Sequence, residues 1–459
     1  MPLTGNIETP RRLFGTSGLR GIVHKELTVQ TLYELGQAVA TSLPASSQVV
    51  IATDTRLSRE KVKTTVVMGL LASGVNVIDL GILPTPALAF STKEMQATTG
   101  IMVTASHNPP EYNGIKLFNS DGIGYSREQE LAIEDIYAQK NFRTGESASF
   151  THEPGAKELY FRKVIGSFPG GLSKKFKIVI DPGNGAASLF ASELFSRLGL
   201  DVLPVNDTPD GSFPGRSPEP REDTLTGTYE FLKKNHADLA VCFDGDADRV
   251  VFLDKEGFIG FNEAVTFISA LAVKTTGKKK VATTVEAGML IDLALSPLGV
   301  SVVRGKVGDV PVAYLAREND AAIGIEPVGV YILPEAGFYP DSFLAALTLL
   351  KNIDDPAEIR AFFRGIPRLV NKQRQLPCPN ELKNPVMSSI LGNTALFGKG
   401  TINTVDGLRL DSGNSWVLVR SSGTEPLLRI IAESPSESET DRLLDKTAAV
   451  VEGLMRGLS

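Results

Sequence analysis

Residues 101–110 read IMVTASHNPP, an apolar run that leads directly into a polar, proline-rich turn. The run 101–103 predicts a short buried strand. The two prolines after Asn108 stop both a helix and a continued strand, because proline fixes φ and has no N–H to donate. Ser106 is therefore predicted to lie on a tight loop at a strand end, where α/β sheets carry reactive groups.

The Ser106–His107 pair admits two interpretations. Most Ser-His-Asn-Pro tetrapeptides are turns with a side-chain-to-backbone hydrogen bond. The chain has four histidines, however, and His107 is the one that adjoins a serine between turn-forming residues. The surroundings lack the G-x-S-x-G motif, which disfavours a hydrolase triad. Downstream, the stretch 112–116 (YNGIK) predicts that Lys116 returns towards the same loop.

An apolar strand, a polar turn and a helix follow one another in three similar passages of the chain. Each helix is followed by a second apolar strand, which is the βαβ pattern of a mostly parallel sheet. A further helix is predicted from apolar positions at helical spacing over 28–43. The three passages have first strands at 49–54, 177–181 and 280–285, helices from about 58, from about 187 and near 288–296, and second strands at 75–80, 202–205 and 300–303.

Beyond residue 366 the composition changes. Prolines punctuate 367–385, and strands around 401–410 and 415–420 and a helix over 437–456 follow. These shorter elements predict a smaller α+β domain with an antiparallel sheet. The predicted fold is thus three successive α/β domains with mixed, mostly parallel sheets, plus a smaller C-terminal α+β domain. The predicted domains are 1–155, 156–256, 257–367 and 368–459.

Composition excludes several classes of protein. A net charge of −6, a pI near 5.5 and the lack of a basic block disfavour a nucleic-acid partner. No apolar run approaches the length of a membrane span, so no membrane partner is expected. With only two cysteines, Cys242 and Cys378, neither a disulfide framework nor a zinc site is indicated. We expect a cytoplasmic protein.

A second polar loop follows the apolar run 239–243. It reads DGDADR and places Asp244, Asp246 and Asp248 two residues apart. Three carboxylates at one strand end are costly to gather without a cation, which disfavours the alternative of a plain acidic turn. Oxygen ligands alone favour a hard ion, Mg²⁺ by preference. An EF-hand is excluded because its sixth position would be arginine rather than glycine.

The third polar loop, RSSGTEP over 420–426, follows another apolar run. Arginine, hydroxyl groups and a glycine N–H make an anion-binding concavity, and the planar fork of Arg420 suits a phosphate. An ordinary turn is the alternative, and a second arginine, Arg429, favours the phosphate site. A reactive serine, a metal and a phosphate site together predict phosphoryl transfer, although neither a P-loop nor the kinase signatures occur in the sequence.

These three loops, in this order and at these separations, resemble those of the α-D-phosphohexomutase superfamily, which includes phosphoglucomutases, phosphomannomutases and phosphoglucosamine mutases. The resemblance spans nearly the whole chain, beginning at the glycine-rich loop 15–21 (GTSGLRG). It implies four domains around a central cleft. It also implies that a phosphoserine enzyme interconverts a sugar 6-phosphate and a sugar 1-phosphate through a hexose 1,6-bisphosphate.

The resemblance implies roles for individual residues. Ser106 would be the phosphoserine, and it would coordinate Mg²⁺ together with Asp244, Asp246 and Asp248. The other catalytic residues implied are His107, Arg20 and Lys116, the last as the general acid/base candidate. The substrate-binding residues implied are Arg249, Asp309, Glu326, Gly329, Arg420, Ser422, Gly423, Thr424 and Arg429.

Two other classes of function compete with the mutase. An apolar strand ending in Asp-x-Asp also opens phosphatases of the haloacid dehalogenase type, in which Asp244 would be the nucleophile. Their fifth position is usually Thr or Val, whereas this chain has Asp248, and Ser106 would have no role. A non-catalytic sugar-phosphate-binding protein would not need a metal-ligand trio beside a serine. A homodimer is left open.

The identity of the sugar depends on the recognition loop. The family usually has Gly-Glu-x-Ser-Gly-His, whereas residues 325–330 read IEPVGV. Val328 and Val330 thus replace a hydroxyl and an imidazole, and fewer polar partners discriminate less between epimers. The stretch 307–309 (VGD) resembles the phosphoglucosamine mutase version of its loop, and the Asp309 carboxylate suits an ammonium group. We expect glucosamine phosphate as the substrate, with glucose and mannose phosphates as alternatives.

Overall fold

The structure, a computed structural model, describes residues 13–15, 18–172, 174, 176–423 and 425–458. The chain divides into two compact units, Met1–Val250 and Val251–Ser459. None of the helices in the described ranges combines the length and the hydropathy that crossing a bilayer requires.

The first unit alternates strands and helices. Its strands are β1 (Leu19–Ile22), β2 (Gln48–Thr53), β3 (Asn76–Ile82), β4 (Thr99–Val103), β5 (Tyr112–Asn119), β6 (Phe150–His152), β7 (Lys177–Asp181), β8 (Asp201–Pro204) and β9 (Leu239–Phe243). Its helices are α1 (Val29–Ser42), α2 (Arg59–Ala72), α3 (Thr85–Glu94), α4 (Arg127–Gln139), α5 (Ala156–Gly166), α6 (Ala191–Arg197) and α7 (Thr226–Lys234).

Strand β10 begins at Val250, the last residue of the first unit, and its other residues belong to the second unit. Its strands are β10 (Val250–Asp254), β11 (Gly257–Phe258), β12 (Lys280–Thr284), β13 (Ser301–Gly305), β14 (Ile323–Glu326), β15 (Val330–Ile332), β16 (Val370–Pro377), β17 (Thr401–Asn403), β18 (Leu408–Ser412), β19 (Ser415–Ser421) and β20 (Leu427–Ser434). Its helices are α8 (Phe261–Thr276), α9 (Leu290–Leu295), α10 (Asp309–Glu318), α11 (Ser342–Asn352), α12 (Ala357–Phe362), α13 (Asn380–Gly392) and α14 (Glu437–Arg456).

The first sheet has the strand order β1-β5-β4-β2-β3-β6. Strand β2 is parallel to β3 and β4, and β3 is parallel to β6, whereas β5 is antiparallel to β4 and β1. The carboxyl end of β4, at Val103, leads into the loop of Ser106. The antiparallel return of β5 places Lys116 opposite Met102, as the stretch 112–116 predicts.

The other sheets also match the predicted classes. Strand β7 lies between β8 and β9 and is parallel to both, so that Asp181 is paired with Cys242 just before the acidic loop. The sheet β13-β12-β14-β15 is parallel except for β15. The sheet β16-β20-β19-β18-β17 is antiparallel throughout. The prediction of three α/β domains followed by an α+β domain is confirmed, while the central cleft stays a prediction.

Several helices begin where the sequence predicts. Helix α1 lies within the predicted range 28–43, and the side chain of Thr28 caps it. Helix α14 has the predicted bounds and is capped by Ser436. The helix predicted from about 187 begins as a 3₁₀ turn and becomes α-helical only at Ala191.

One prediction for the C-terminal part is wrong in detail, and one strand was not predicted. Residues 401–410 form two strands rather than one, because the chain turns at Gly407 with φ +92°. A Cβ at this position would lie 2.3 Å from the carbonyl oxygen of Val419, so only glycine fits. The proline-rich segment 367–385 contains β16, an eight-residue edge strand that the prolines obscure. An edge strand tolerates a terminal proline because it needs no further N–H donor there.

Candidate active site

Ser106 follows β4 and is buried, with 1% of its surface exposed. Its φ of +50° lies in the left-handed region, which residues other than glycine rarely adopt. Its N–H donates to Oγ1 of Thr104 at 2.8 Å, and its Oγ donates to Oδ2 of Asp244 at 2.7 Å. Because strained backbone of this kind clusters at functional sites, the Ser106 hydroxyl is a candidate reactive group.

The loop after β9 gathers three buried carboxylates, those of Asp244, Asp246 and Asp248. One oxygen atom from each lies within 4.8 Å of the others. Gly245 lets this loop approach the serine loop, because a Cβ there would lie 2.4 Å from the Ser106 carbonyl oxygen. The structure thus brings together the serine and the three carboxylates that the sequence singles out.

The donor atoms of this cluster fit a divalent metal ion. Oδ2 of Asp246 accepts hydrogen bonds from Thr85 at 2.5 Å and from Lys116 at 2.7 Å. Oδ1 of Asp246 is buried and has no hydrogen-bond partner among the described residues. A buried oxygen without a hydrogen-bond partner lowers the stability of the fold unless it binds another group. Hard cations prefer carboxylate oxygens as ligands. The three aspartates would hold such a cation.

The carboxylates of the cluster differ in pKa. Burial raises the pKa of Asp244 well above its ordinary value, and the negative charges of Asp248 and Asp246 raise it further. Burial acts on Asp246 in the same direction, but the charge and hydrogen bond of the Lys116 ammonium lower its pKa below the usual range. The backbone N–H of Arg249 donates to Oδ1 of Asp244 at 3.1 Å. The protein alone therefore keeps a proton more readily on Asp244 than on Asp246, and a bound cation would favour its release.

Two basic residues that the sequence implicates in catalysis contact these loops. Lys116, in β5, donates to Oδ2 of Asp246 at 2.7 Å and to Oδ2 of Asp248 at 2.6 Å. Arg20, in β1, donates from Nη1 to Oδ1 of Asn108 in the serine loop at 2.7 Å. Lys116 is therefore bound to the carboxylate cluster, and proton transfer by Lys116 requires that these bonds be exchanged.

His107 lies beside the serine, with Nδ1 at 3.3 Å from Oγ of Ser106. Burial, together with the nearby positive charges of Arg249, Arg20 and Lys116, lowers the pKa of His107 to about 2. The imidazole is therefore neutral at neutral pH. The same three positive charges would help to compensate the negative charge of a phosphoryl group on Ser106.

The second unit contains the predicted sugar-recognition residues. Glu326 ends β14, and its Oε1 accepts a hydrogen bond from the N–H of Gly308 at 2.8 Å. Asp309 is the first residue of α10. Gly329 turns the chain at φ +87°, and Val330 begins β15 with 2% of its surface exposed. The Val330 side chain therefore belongs to the core of this unit.

The predicted phosphate loop connects β19 and β20. Arg420 and Arg429 are paired across these two strands. Arg420 donates to Glu286 at 2.5 Å, and Arg429 donates to Glu425 at 2.8 Å. The Nε atoms of both arginines are buried and have no hydrogen-bond partner within the part of the chain that the structure describes. Each arginine therefore retains a donor for an anion.

The remaining residues of this loop have different surroundings. Ser422 is buried, and its Oγ accepts a hydrogen bond from the N–H of Glu425 at 3.1 Å. Gly423 is exposed. Thr424, which the sequence also assigns to the phosphate, lies outside the described residues, as do residues 16–17 of the glycine-rich loop.

Sequence reasoning missed several partners of these residues. Thr85 and Glu286, which bind the metal loop and the phosphate loop respectively, lie in stretches without a motif. Arg216 is buried and donates from Nη2 to the carbonyl oxygen of Phe243 at 2.7 Å, directly before the metal loop. Its Nε donates to Asp181 at 2.9 Å. Of these residues, only Asp181 could have been singled out from the sequence, because it ends an apolar strand.

Four family models match the chain, one for each predicted domain. They describe the α/β/α domains I, II and III and the C-terminal domain of phosphoglucomutase/phosphomannomutase. The matched ranges are 11–144, 160–257, 262–359 and 376–450, in chain order. Together they cover more than half of the chain.

Whole-chain relatives agree with these matches. The phosphoglucosamine mutase of Methanocaldococcus jannaschii is 37% identical over 456 residues, which cover 97% of this chain and 100% of the relative. A protein of Thermococcus gammatolerans named "Probable phosphoglucosamine mutase" is 37% identical over 450 residues, covering 97% of this chain and 99% of the relative.

A solved structure shows the same fold over the same extent. It is a phosphoglucomutase/phosphomannomutase family protein from Burkholderia thailandensis, with a TM-score of 0.86, 26% identity, and coverage of 96% of this chain and 97% of that chain. These comparisons give no support to the phosphatase alternative. With the serine loop, the acidic loop and the arginine loop all inside the matched ranges, the chain belongs to the phosphoglucomutase/phosphomannomutase family and is a phosphohexomutase.

Proposed function

We propose that this phosphohexomutase interconverts glucosamine 6-phosphate and glucosamine 1-phosphate through a phosphorylated Ser106 and a 1,6-bisphosphate. The observation that carries the chemistry is the Ser106 hydroxyl, held in the left-handed region and 2.7 Å from Asp244 in a cluster of buried carboxylates. The names of the whole-chain relatives support glucosamine as the sugar. Asp309 supports it independently, because a carboxylate suits the ammonium group at C2.

In the first transfer, the free hydroxyl oxygen of the sugar phosphate bonds to phosphorus while the bond between phosphorus and Ser106 Oγ breaks. The hydroxyl proton passes to a base, for which we propose Lys116 in its neutral amine form, after its ammonium has released a proton to solvent and its bonds to Asp246 and Asp248 have been exchanged. After the bisphosphate turns over, its other phosphate returns to Ser106 by the reverse steps. Bound Mg²⁺ would neutralise charge on the phosphoryl oxygens. Arg20 and Arg249 would compensate the charge of the transferring group, and neutral His107 would position it.

Residues of the second unit are proposed to bind the parts of the substrate that do not react. Glu326 would accept hydrogen bonds from ring hydroxyls, and Gly329 would give the loop its turn. The unsatisfied Nε donors support a phosphate at the arginine loop. The residues proposed to bind the phosphate that is not transferred are Arg420, Ser422, Gly423, Thr424 and Arg429.

Arg420→Ala is expected to raise KM for the sugar phosphate about 10- to 100-fold, because a charge-assisted contact is lost. The substitution also leaves the Glu286 carboxylate without its partner, so that it repels the phosphate. Steady-state kinetics measures the effect. The control is Arg442→Ala, since Arg442 is an exposed arginine of α14 that pairs only weakly with Glu439, and KM should not change. An unchanged KM for Arg420→Ala with every sugar phosphate tested would contradict the phosphate assignment.

The sugar assignment predicts a ranking of kcat/KM. Glucosamine 6-phosphate should exceed glucose 6-phosphate and mannose 6-phosphate, and ribose phosphate should rank last. Asp309→Asn removes a charge at nearly constant shape and should reduce the preference for glucosamine over glucose about 10-fold. Glu318→Gln, at the other end of α10, is the matched control and should leave the ratio unchanged. A clear preference for mannose phosphate, or for the pentose, would refute the glucosamine assignment and leave the mutase chemistry standing.

A cytoplasmic location, small-molecule sugar phosphates as partners and the domain boundaries are proposed as well. The buried, free thiols of Cys242 and Cys378 support a reducing compartment. The net charge of −6 disfavours nucleic acid as a partner. The proposed boundaries after residues 155 and 367 fall in gaps between the ranges that the family models match. The boundary after residue 256 lies one residue before the end of the range 160–257.

A further inference from the structure

A buried arginine lies next to the serine loop, on the turn that follows β2. Arg56 has 0% of its surface exposed, and its Nε donates to Oδ2 of Asp54 at 3.0 Å. The backbone N–H of Arg56 donates to Oδ1 of the same carboxylate at 2.9 Å. A buried guanidinium has five N–H donors to satisfy, so the partners of the other four decide what it does.

The other four donors all bind one loop. Nη1 of Arg56 donates to the carbonyl oxygens of Pro109 at 2.6 Å and Tyr112 at 2.9 Å. Nη2 donates to the carbonyl oxygens of Ser106 at 2.9 Å and Asn108 at 2.6 Å. Every acceptor lies between the reactive serine and the start of β5. One planar, rigid group therefore fixes the path of this loop at four points.

The partner of Arg56 holds the same loop from the other side. Oδ2 of Asp54 accepts a hydrogen bond from Oγ1 of Thr104 at 2.6 Å. Oγ1 of Thr104 in turn accepts one from the N–H of Ser106 at 2.8 Å. The serine is thus held at its N–H through Thr104 and at its carbonyl through Arg56. These are the two peptide groups that flank its left-handed φ of +50°.

We propose that Asp54, Arg56 and Thr104, here called the loop clamp, are positioning residues for phosphoryl transfer. The loop clamp keeps Ser106 in a backbone conformation that it would otherwise rarely adopt, so that its Oγ points to Asp244. In-line transfer depends on the placement of the nucleophile, and the loop clamp sets that placement without touching the substrate. The proposal rests on the proposed function, because it takes Ser106 as the residue that is phosphorylated.

Another arginine of the same unit shows what a purely structural clamp looks like. Arg143 also binds backbone carbonyl oxygens, those of Ala40 and Leu43 at 2.7 Å each and of Ser73 at 3.0 Å. These acceptors lie at the ends of α1 and α2 rather than in the serine loop. Arg143→Lys is therefore a matched control that loses similar bonds away from the site.

The test is the single-turnover phosphorylation of Ser106 by glucose 1,6-bisphosphate, followed by intact-protein mass spectrometry. Arg56→Lys keeps a positive charge for Asp54 but cannot reproduce the four-point fork. The maximal rate should fall roughly 100-fold, as for a misplaced reacting group. The bisphosphate concentration that gives half the maximal rate should stay unchanged, because other residues bind the substrate. Hydrogen exchange of the peptide 104–112 should become faster.

A control variant and a second variant distinguish a positioning role of the loop clamp from a purely structural one. Arg143→Lys should lower the melting temperature and leave the phosphorylation rate of the folded protein unchanged. Thr104→Val keeps the shape of the side chain and removes the N–H anchor of Ser106, so it should also slow phosphorylation. Should Arg56→Lys not fold, Thr104→Val decides alone, and an unchanged rate in the folded variant overturns the proposal. A wild-type protein that is never phosphorylated at Ser106 would refute the proposed function instead.

Discussion

Ser106→Ala is expected to abolish mutase turnover, with a loss on the order of 10⁶-fold, the cost of removing a covalent nucleophile. The variant should also take up no phosphate from a sugar bisphosphate. Alanine keeps the Cβ and therefore the local packing, so the melting temperature should change little. Coupled assay of sugar 1-phosphate formation measures the turnover, and intact-protein mass spectrometry measures the phosphate.

Ser91→Ala is the matched control for this experiment. Ser91 is a buried serine of α3 in the same unit, and its hydroxyl has no hydrogen-bond partner among the described residues. Its removal should leave turnover unchanged. Turnover that persists in Ser106→Ala would mean that the nucleophile lies elsewhere.

Asp246→Asn is expected to weaken metal binding and activity together. The substitution replaces a charged ligand by a neutral one and removes a partner of Lys116. We expect Mg²⁺ affinity to fall roughly 100-fold or more, since even the outer partners of metal ligands contribute 10- to 100-fold. Isothermal titration calorimetry measures the affinity independently of turnover.

The control for the metal prediction is Asp79→Asn. Asp79 is a buried aspartate of the first unit whose Oδ2 accepts a hydrogen bond from Lys63 at 2.7 Å, outside the metal loop. Its substitution should destabilise the protein and leave the Mg²⁺ affinity unchanged. If Asp246→Asn binds Mg²⁺ like the wild type, or if full activity persists in excess EDTA, the acidic loop is not a metal site.

The loops of the site could be predicted from the sequence because each follows an apolar strand. Asp244 comes directly after β9, and Ser106 follows β4 with prolines behind it, so both patterns predict a polar strand end. The two strands belong to different sheets, however, and no local pattern states that loops of different sheets meet. The resemblance to a family supplied that step, and the 2.7 Å contact between the two side chains agrees with it.

The loop clamp could not be predicted from the sequence, and the reason is physical. Arg56 binds carbonyl oxygens, which every residue carries, so its acceptors leave no signature in the sequence. The close approach at Gly245 is hidden in the same way, since the contact is made by the backbone of Ser106. Strand β16 was hidden by the prolines around it and by Pro377 at its end, which is compatible with an edge position that only the folded sheet reveals.

The central claim, that the mutase works through a phosphorylated Ser106, is tested most directly by phosphopeptide mapping. The protein is incubated with a sugar bisphosphate and Mg²⁺, digested and sequenced by mass spectrometry. The account predicts phosphate on the peptide that contains Ser106, stable to the mild base that cleaves acyl phosphates. Phosphate recovered instead as an acyl phosphate on Asp244, or on any residue other than Ser106, would contradict it.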